Sequence, residues 1–166
     1  MRVDRSRLPA IGPDPAFRFP RIVRHRLDNG LDVRTVEHHT APVVTLVMQI
    51  EGGLGSDPHG LEGLAALTAD MVDEGTGVLS AIQVAEALAS IGGEYDVEVG
   101  AGATVFTLTT LERFAERGAR LLADILLRPS LRETDFSRVR KLRHDRLRQL
   151  TDLPPAVAEH AFVTLM

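Results

Sequence analysis

Apolar and polar residues along the chain follow two spacings, and each spacing predicts a different element. Stretches in which apolar residues alternate with polar ones predict strands, whereas apolar residues three or four positions apart predict helices. Strands are predicted at 22–27, 31–37, 43–50, 95–99 and 104–110, and helices at about 60–73, 80–91, 112–128 and 133–151, with a last helix from 156. The third strand is apolar enough to predict burial on both faces.

Turn and capping residues separate these elements. Asp28-Asn29-Gly30 predicts a tight turn that joins the first two strands into a hairpin. Ser80 is a suitable N-cap for the second helix, and Gly92-Gly93 ends it. Prolines punctuate residues 1–20, which predicts an extended N-terminal arm and leaves residues 21–166 as the folded domain.

The order of the predicted elements is three strands, two helices, two strands and three helices. This mixed order, with hairpins and no strict alternation of strand and helix, predicts an α+β fold in which helices pack on one face of a largely antiparallel sheet. The last predicted helix extends to Met166, the last residue of the sequence. We therefore expect the sequence to be the first part of a longer protein.

Composition and charge exclude several classes of protein. The 166 residues are 44% apolar and 25% charged, as in an ordinary globular domain, and the net charge of −4 gives no general attraction to nucleic acid or to an anionic membrane. The absence of cysteine excludes disulfides, thiolate zinc sites and a cysteine nucleophile. No stretch resembles a membrane span or a secretory signal, so the sequence predicts a cytoplasmic protein, or a periplasmic one if a leader has been removed.

Several short motifs, in order along the chain, resemble one family of peptidases. They are Leu27-Asp28-Asn29-Gly30-Leu31-Asp32-Val33, Pro42-Val43-Val44, the segment 53–58, Gly63-Leu64-Ala65, Met71, Glu74-Gly75-Thr76 and the segments 80–92 and 122–129. Together they resemble the N-terminal part of an M16 domain, the pitrilysin, insulinase and mitochondrial-processing-peptidase-like family. The resemblance implies a LuxS/M16 metallopeptidase-like fold, truncated here at its C-terminal end.

The zinc motif of that family is altered in this chain. In the family that this chain resembles, a helix carries a His-x-x-Glu-His motif, in which two histidines bind zinc and the glutamate acts as the general base for the catalytic water. The corresponding positions here are Ala66, Ala69 and Asp70. Alanine offers no lone pair, and a single carboxylate makes a poor zinc site. The resemblance therefore implies a domain without catalytic residues.

The resemblance also implies a third metal ligand, a glutamate on the helix before the turn Asp152-Leu153-Pro154. The matching window in this chain is Asp145-Arg146-Leu147. Arg146 would repel zinc, and Asp145 would be a second weak ligand beside Asp70. We therefore expect no metal and no other cofactor, with zinc bound only if the site has been remodelled.

One remodelled site can be named from the sequence. His59 lies in the glycine-rich loop before the first helix, and Asp73 lies at the end of that helix. A surrogate metal site could combine His59 with Asp70 and Asp73. The simpler interpretation is a loop histidine beside a helix with an acidic end.

The fourth predicted helix carries a run of basic residues, which allows three interpretations. The run comprises Arg138, Arg140, Lys141, Arg143, Arg146 and Arg148. It could contact phosphate or nucleic acid, or it could be a solvated face balanced by nearby carboxylates. In M16-like proteins this helix lines the chamber, which implies that Arg138, Arg143 and Arg146 attract acidic peptide segments or a partner subunit.

These observations lead to three functional hypotheses. The first is a non-catalytic M16-like domain or subunit that helps form a chamber for an unfolded peptide, with a catalytic M16 subunit or a second M16 domain as its partner and with no nucleic acid or membrane as partners. The second is a zinc metalloendopeptidase with a remodelled metal site. The third is a basic-helix module that binds polyanions.

Overall fold

The computed structural model describes residues 12–14, 16 and 18–165, with residues 159, 160 and 163–165 described by their backbone alone. The described part of the predicted arm at 1–20 contains no helix or strand, and the remainder of that arm lies outside the described residues, as does Met166. The strands are β1 (Ile22–Arg26), β2 (Asp32–Val36), β3 (Val43–Glu51), β4 (Glu94–Val99) and β5 (Ala103–Leu111). The helices are α1 (Leu64–Ala69), α2 (Ala81–Ser90), α3 (Ala115–Leu127), α4 (Glu133–Thr151) and α5 (Pro154–Leu165).

The chain divides into two compact units between Ala41 and Pro42. The first unit contains the antiparallel hairpin β1–β2, with Ile22 opposite Val36. Its turn is formed as predicted. Gly30 adopts the left-handed conformation with φ of 89°, and the backbone N–H of Leu31 donates to the side-chain oxygen of Asn29 at 3.1 Å.

The second unit contains an antiparallel sheet with the strand order β3-β5-β4. Residues alternate along β5, where Phe106 and Leu108 are buried against the helices and their neighbours face the other side. The prediction that β3 is buried on both faces is wrong, because the Val47 side chain is 61% exposed. The helices of this unit pack on one face of the sheet, so apolar residues on the opposite face of β3 remain accessible.

The core lies between that sheet and helices α2 and α3. It is a cluster of aliphatic and aromatic side chains: Val72, Val84, Ile91, Phe106, Leu108, Leu121, Leu122 and Ile125. Helix α3 approaches β5 closely at Gly118, where an added Cβ would lie 3.0 Å from Cγ2 of Thr110. This α+β arrangement confirms the predicted fold class. None of the described helices is both long and apolar enough to cross a membrane.

Helix α1 is shorter than the predicted helix at 60–73, which is a correction to the sequence analysis. Gly60 and Gly63 have φ of 84° and 97°, so the chain turns in the left-handed region before the helix begins. The carboxylate of Asp57 then accepts hydrogen bonds from the N–H groups of Gly63 at 2.7 Å and Ala65 at 2.8 Å. These contacts fix the start of α1 at Leu64.

The later helices follow the sequence more closely. Ser80 and Gln83 form a complete capping box at the start of α2. Helix α4 has the predicted limits, and α5 begins at Pro154, two residues before the predicted start at Ala156. Proline is favourable in the first turn of a helix because its missing N–H would have no helical partner there.

Candidate functional site

An open groove of about 650 Å³ lies beside the altered zinc motif. Three parts of the second unit form it: the end of α1 with the turn that follows, the strand β4, and one face of α4. The lining residues are Ala69, Asp70, Asp73, Glu74, Tyr95, Asp96, Val97, Val139, Leu142, Arg143, Arg146, Leu147 and Leu150. The groove therefore brings together residues that are far apart in the sequence.

The α4 side of the groove is a stripe of apolar and cationic side chains. Val139, Leu142, Arg143, Arg146 and Leu150 lie three or four residues apart in sequence and so share one face of the helix. Val139 is buried, whereas Leu142 is 58% exposed. The stripe presents apolar surface to the groove together with two guanidinium groups.

Two of the three altered motif positions are buried and chemically inert. The side chains of Ala66 and Ala69 are 5% and 4% exposed. Neither has an atom that could bind a metal or accept a proton from water. Chemistry at this end of the groove therefore depends on Asp70 and on the charged residues around it.

Asp70 is bound by an arginine of α4. Nη1 of Arg143 donates to Oδ2 of Asp70 at 2.6 Å, and both side chains are partly exposed. A metal at this carboxylate would have to displace the guanidinium or lie beside its positive charge. The donor set at the motif positions, two alanines and an ion-paired aspartate, does not fit zinc.

A second ion pair joins the same two parts of the fold. Nη2 of Arg138 contacts a carboxylate oxygen of Glu74, and it lies 3.9 Å from Oδ1 of Asp135 on its own helix. Arg138 and Arg143 are five residues apart on α4, and Asp70 and Glu74 flank the turn after α1. The two arginines thus hold that turn against α4 at two points.

Arg146 differs from these two arginines. It lines the groove, but no carboxylate lies within ion-pair distance of it among the side chains that the structure describes. Of the three arginines predicted to contact peptide or partner, Arg143 and Arg146 line the groove, and Arg138 binds one of the carboxylates that line it.

Two partly buried residues with polar side chains, Asp73 and Tyr95, line the groove. Burial raises the pKa of Asp73, the charges of Glu74 and Asp70 add to that effect, and a backbone hydrogen bond and the charge of Arg138 oppose it. Burial also raises the pKa of the Tyr95 phenol above its usual range. The hydroxyl group of Tyr95 has no hydrogen-bond partner within the described part of the chain.

The remaining candidate ligands are dispersed. His59 is fully exposed, with Nδ1 3.5 Å from Oε1 of Glu62, and Asp145 pairs with Lys141 at 3.3 Å. No three histidine or acidic side chains come together as a metal-binding group in the described ranges. The structure therefore does not assemble His59, Asp70 and Asp73 into a surrogate metal site.

Several residues that line the groove were not predicted from the sequence to belong to a site. Tyr95 and Val97 were predicted only as members of a strand, Leu147 was named only within the window 145–147, and Leu142 and Leu150 were not singled out. The alternation along β4 was a signal that Tyr95 and Val97 share one face. No pattern in the sequence indicated that this face continues to α4.

Comparison with known proteins identifies relatives with this fold. The model of the insulinase family, peptidase family M16, matches residues 32–164. A protein of Rickettsia bellii described as an uncharacterized zinc protease is 26% identical over 113 residues, which are 68% of this chain and 27% of that protein.

Two crystal structures share the fold at low sequence identity. A peptidase M16 inactive domain from Pseudomonas fluorescens has a TM-score of 0.76 at 20% identity, covering 84% of this chain and 34% of its own. A protease from Helicobacter pylori has a TM-score of 0.74 at 22% identity, covering 81% of this chain and 32% of its own. The chain thus spans about a third or less of the length of these relatives.

Proposed function

Because this chain belongs to the insulinase family, peptidase family M16, we propose that it is a non-catalytic M16 domain that forms part of a peptide-binding chamber with a zinc-peptidase partner. The observation that carries the proposal is the ion pair between Asp70 and Arg143 at the altered zinc motif. The ion pair engages the carboxylate of Asp70, the third motif position, and the two other motif positions are buried alanines. The residues that remain can bind a peptide but cannot activate water through a metal.

The β4 side of the groove supports peptide binding. Strand β4 pairs with β5 on one side and is at the edge of its sheet on the other. An edge strand presents unpaired N–H and C=O groups, which an extended peptide can satisfy by adding a strand. Side chains of such a peptide alternate in direction, so every second one would reach the apolar stripe of α4.

The partner is a catalytic M16 subunit or a second M16 domain. The Pseudomonas fluorescens structure described as a peptidase M16 inactive domain supports this proposal, since it shares the fold of this chain. An inactive domain contributes to proteolysis only beside an active one. A wall that binds peptide without cleaving it would then limit which peptides enter the chamber.

The ion pairs that the basic residues of α4 form argue against polyanion binding. Arg138 and Arg143 pair with carboxylates of the α1 turn, and Lys141 pairs with Asp145. Pairing reduces the net positive field that attracts a phosphate backbone. A peptide groove therefore accounts for more of these contacts than a polyanion surface does.

The proposal is tested by measuring metal content, binding and cleavage on one preparation. The chain is exposed briefly to zinc, desalted and analysed for metal, and then mixed with reduced, carboxymethylated α-lactalbumin as an unfolded probe. We expect less than about a tenth of an equivalent of zinc, a measurable shift in probe anisotropy, and no new peptides by mass spectrometry.

Two results would contradict the proposal. Zinc near one equivalent, together with cleavage that a chelator stops and that Asp70→Ala abolishes, would contradict the proposal and favour a remodelled peptidase. Absence of probe binding would contradict the peptide-binding role itself. Arg148→Gln, on the same helix but outside the groove lining, is the matched control for nonspecific charge effects.

A further inference from the structure

Arg146 supplies a positive charge to the groove that the described side chains do not neutralise. Arg143 is paired with Asp70, and Glu74 is paired with Arg138. The charged groups that shift the pKa of Asp73 are Glu74, Asp70 and Arg138. Arg146 lies less than one helical turn beyond Arg143 and about two turns beyond Arg138 on α4, and none of the described carboxylates forms an ion pair with it.

Asp96, the other exposed carboxylate at the groove, belongs to the opposite face of the sheet. Tyr95 and Val97 pack toward the core, and adjacent residues of a strand point to opposite faces. The side chain of Asp96 therefore lies on the face of β4 opposite to Tyr95 and Val97. This leaves Arg146 available to an incoming anionic group.

The surroundings of Arg146 are apolar. Leu142, Leu147 and Leu150 lie around it on α4 and are all exposed. A guanidinium group bordered by aliphatic side chains binds a carboxylate more strongly than one surrounded by water, because a bound ligand excludes part of the solvent. The apolar neighbours would bury the flanking side chains of the same ligand.

We propose that this groove selects extended peptide segments that carry an acidic side chain between apolar side chains, with the carboxylate bound by Arg146. The proposal rests on the peptide-binding function proposed above and specifies its ligand class. The occupant is a side-chain carboxylate, since a groove open along a strand edge accepts the middle of a chain. Apolar side chains two residues before and after the acidic one would contact Leu142 and Leu150.

The test uses pairs of short fluorescent peptides that differ in one charge. Each peptide is about nine residues long, an extended segment suited to one strand, with leucine and valine at alternate positions and blocked ends. Its central residue is glutamate in one peptide and glutamine in the other. The dissociation constants are measured by anisotropy for the unaltered chain, for Arg146→Gln and for Arg148→Gln.

The expected result is a preference for glutamate over glutamine of about fivefold, the effect of one partly desolvated ion pair. Arg146→Gln should remove the preference, so that the glutamate and glutamine peptides bind this variant equally. Arg148→Gln removes the same charge from the same helix outside the groove and keeps the preference. Circular dichroism spectra that match the unaltered chain show that both variants are folded.

Three other results would overturn the inference in distinguishable ways. Equal binding of the two peptides by the unaltered chain rejects acidic selectivity but keeps the proposed function. A glutamine peptide with a free C-terminal carboxylate that binds as tightly as the glutamate peptide shows that the groove takes chain ends instead. Failure of every peptide to bind rejects both the inference and the proposed function.

Discussion

The Nη1 atom of Arg143 lies 2.6 Å from Oδ2 of Asp70, a residue 73 positions earlier in the chain. The contact joins the end of α1 to the middle of α4, the two elements that carry the altered motif and the basic run. The resemblance to M16 peptidases implies that zinc would connect these elements in a metal-binding member. Here an ion pair makes the connection, with Arg138 and Glu74 providing a second one.

We expect the contact between Asp70 and Arg143 to stabilise the fold by a modest, measurable amount. Both side chains are partly exposed, and pairs of this kind contribute about 0.5–1 kcal/mol. A double-mutant cycle with Asp70→Ala, Arg143→Ala and the double variant should give a coupling energy in that range by urea denaturation. The coupling should shrink in about 1 M salt, because salt screens partly exposed charges.

The cycle has an internal control on the same helix. Asp70→Ala combined with Arg148→Ala should show additive effects, within about 0.3–0.5 kcal/mol, because Arg148 does not contact Asp70. Equal coupling in both cycles would mean that general charge balance, and not the contact, produces the effect. The interpretation of Arg143 as a structural partner of Asp70 would then be wrong.

The glycine-rich loop before α1 has a steric function. A Cβ added at Gly53 would lie 2.1 Å from the carbonyl oxygen of Gly100 and 3.1 Å from that of Ala101. Both atoms belong to the backbone of the β4–β5 connection and accept hydrogen bonds from the N–H groups of Leu54 and Gly55, so moving the connection would break these bonds. We expect Gly53→Ala to lower the free energy of unfolding by roughly 3 kcal/mol, as forced overpacking does.

Gly102 in the same connection provides the comparison for that substitution. No heavy atom lies within 4 Å of a Cβ built on Gly102. Gly102→Ala should therefore change the free energy of unfolding by less than about 0.5 kcal/mol. If both variants were equally stable, the close approach at Gly53 would not be a constraint on the fold.

Local signals made much of the fold predictable. The limits of α4 and the capping box at Ser80 depend on residues next to one another in sequence, so the sequence contained what was needed. The predicted length of α1 was wrong, because glycines in the left-handed region and the cap formed by Asp57 outweigh the helical spacing of the apolar residues. The predicted burial of both faces of β3 was also wrong. Burial depends on which elements cover each face of the sheet, and the apolar content of a strand does not reveal this.

The candidate site was predictable only in part, for the same reason. The altered positions Ala66, Ala69 and Asp70 could be located through the resemblance to M16 proteins. Which arginine binds Asp70 could not be inferred, because the choice between Arg143 and Arg146 depends on how α4 rotates against α1. That rotation is set by side-chain packing over long sequence separations.

The hydroxyl group of Thr110 is a buried link between β5 and the end of α2. It donates to the carbonyl oxygen of Ile91 at 2.8 Å, and both residues are fully buried. Thr110→Val keeps the shape but leaves that carbonyl without its partner, which should cost about 1–3 kcal/mol of unfolding free energy. Thermal and urea denaturation measure the loss.

Thr109 is a matched position on the other face of β5. Its Oγ1 lies 3.0 Å from Oγ1 of Thr45 in an exposed contact, where water can replace the lost partner. Thr109→Val should therefore change stability by only about 0.5 kcal/mol. Similar losses for the two threonine variants would show that β-strand propensity, and not the buried hydrogen bond, decides the effect.

Ionisation of Asp73 should make the fold less stable as the pH rises. Burial, together with the charges of Glu74 and Asp70, raises the pKa of Asp73 above its ordinary value of 3.8. A carboxyl group with a raised pKa binds its proton more tightly in the folded chain than in the unfolded chain. Its contribution to stability is therefore complete below the unfolded pKa and is lost as the pH rises through the folded pKa.

Asp73→Asn removes that ionisation while keeping an oxygen that can accept the backbone hydrogen bond. We expect this variant to be more stable than the unaltered chain at about pH 7, with the difference shrinking as the pH falls toward the ordinary carboxyl range. Urea denaturation across that range measures the difference. Asp96→Asn removes one carboxylate from an exposed position on β4 and is the control for the loss of a charge. A constant difference at every pH would mean that packing, and not the buried charge, distinguishes Asp73→Asn from the unaltered chain.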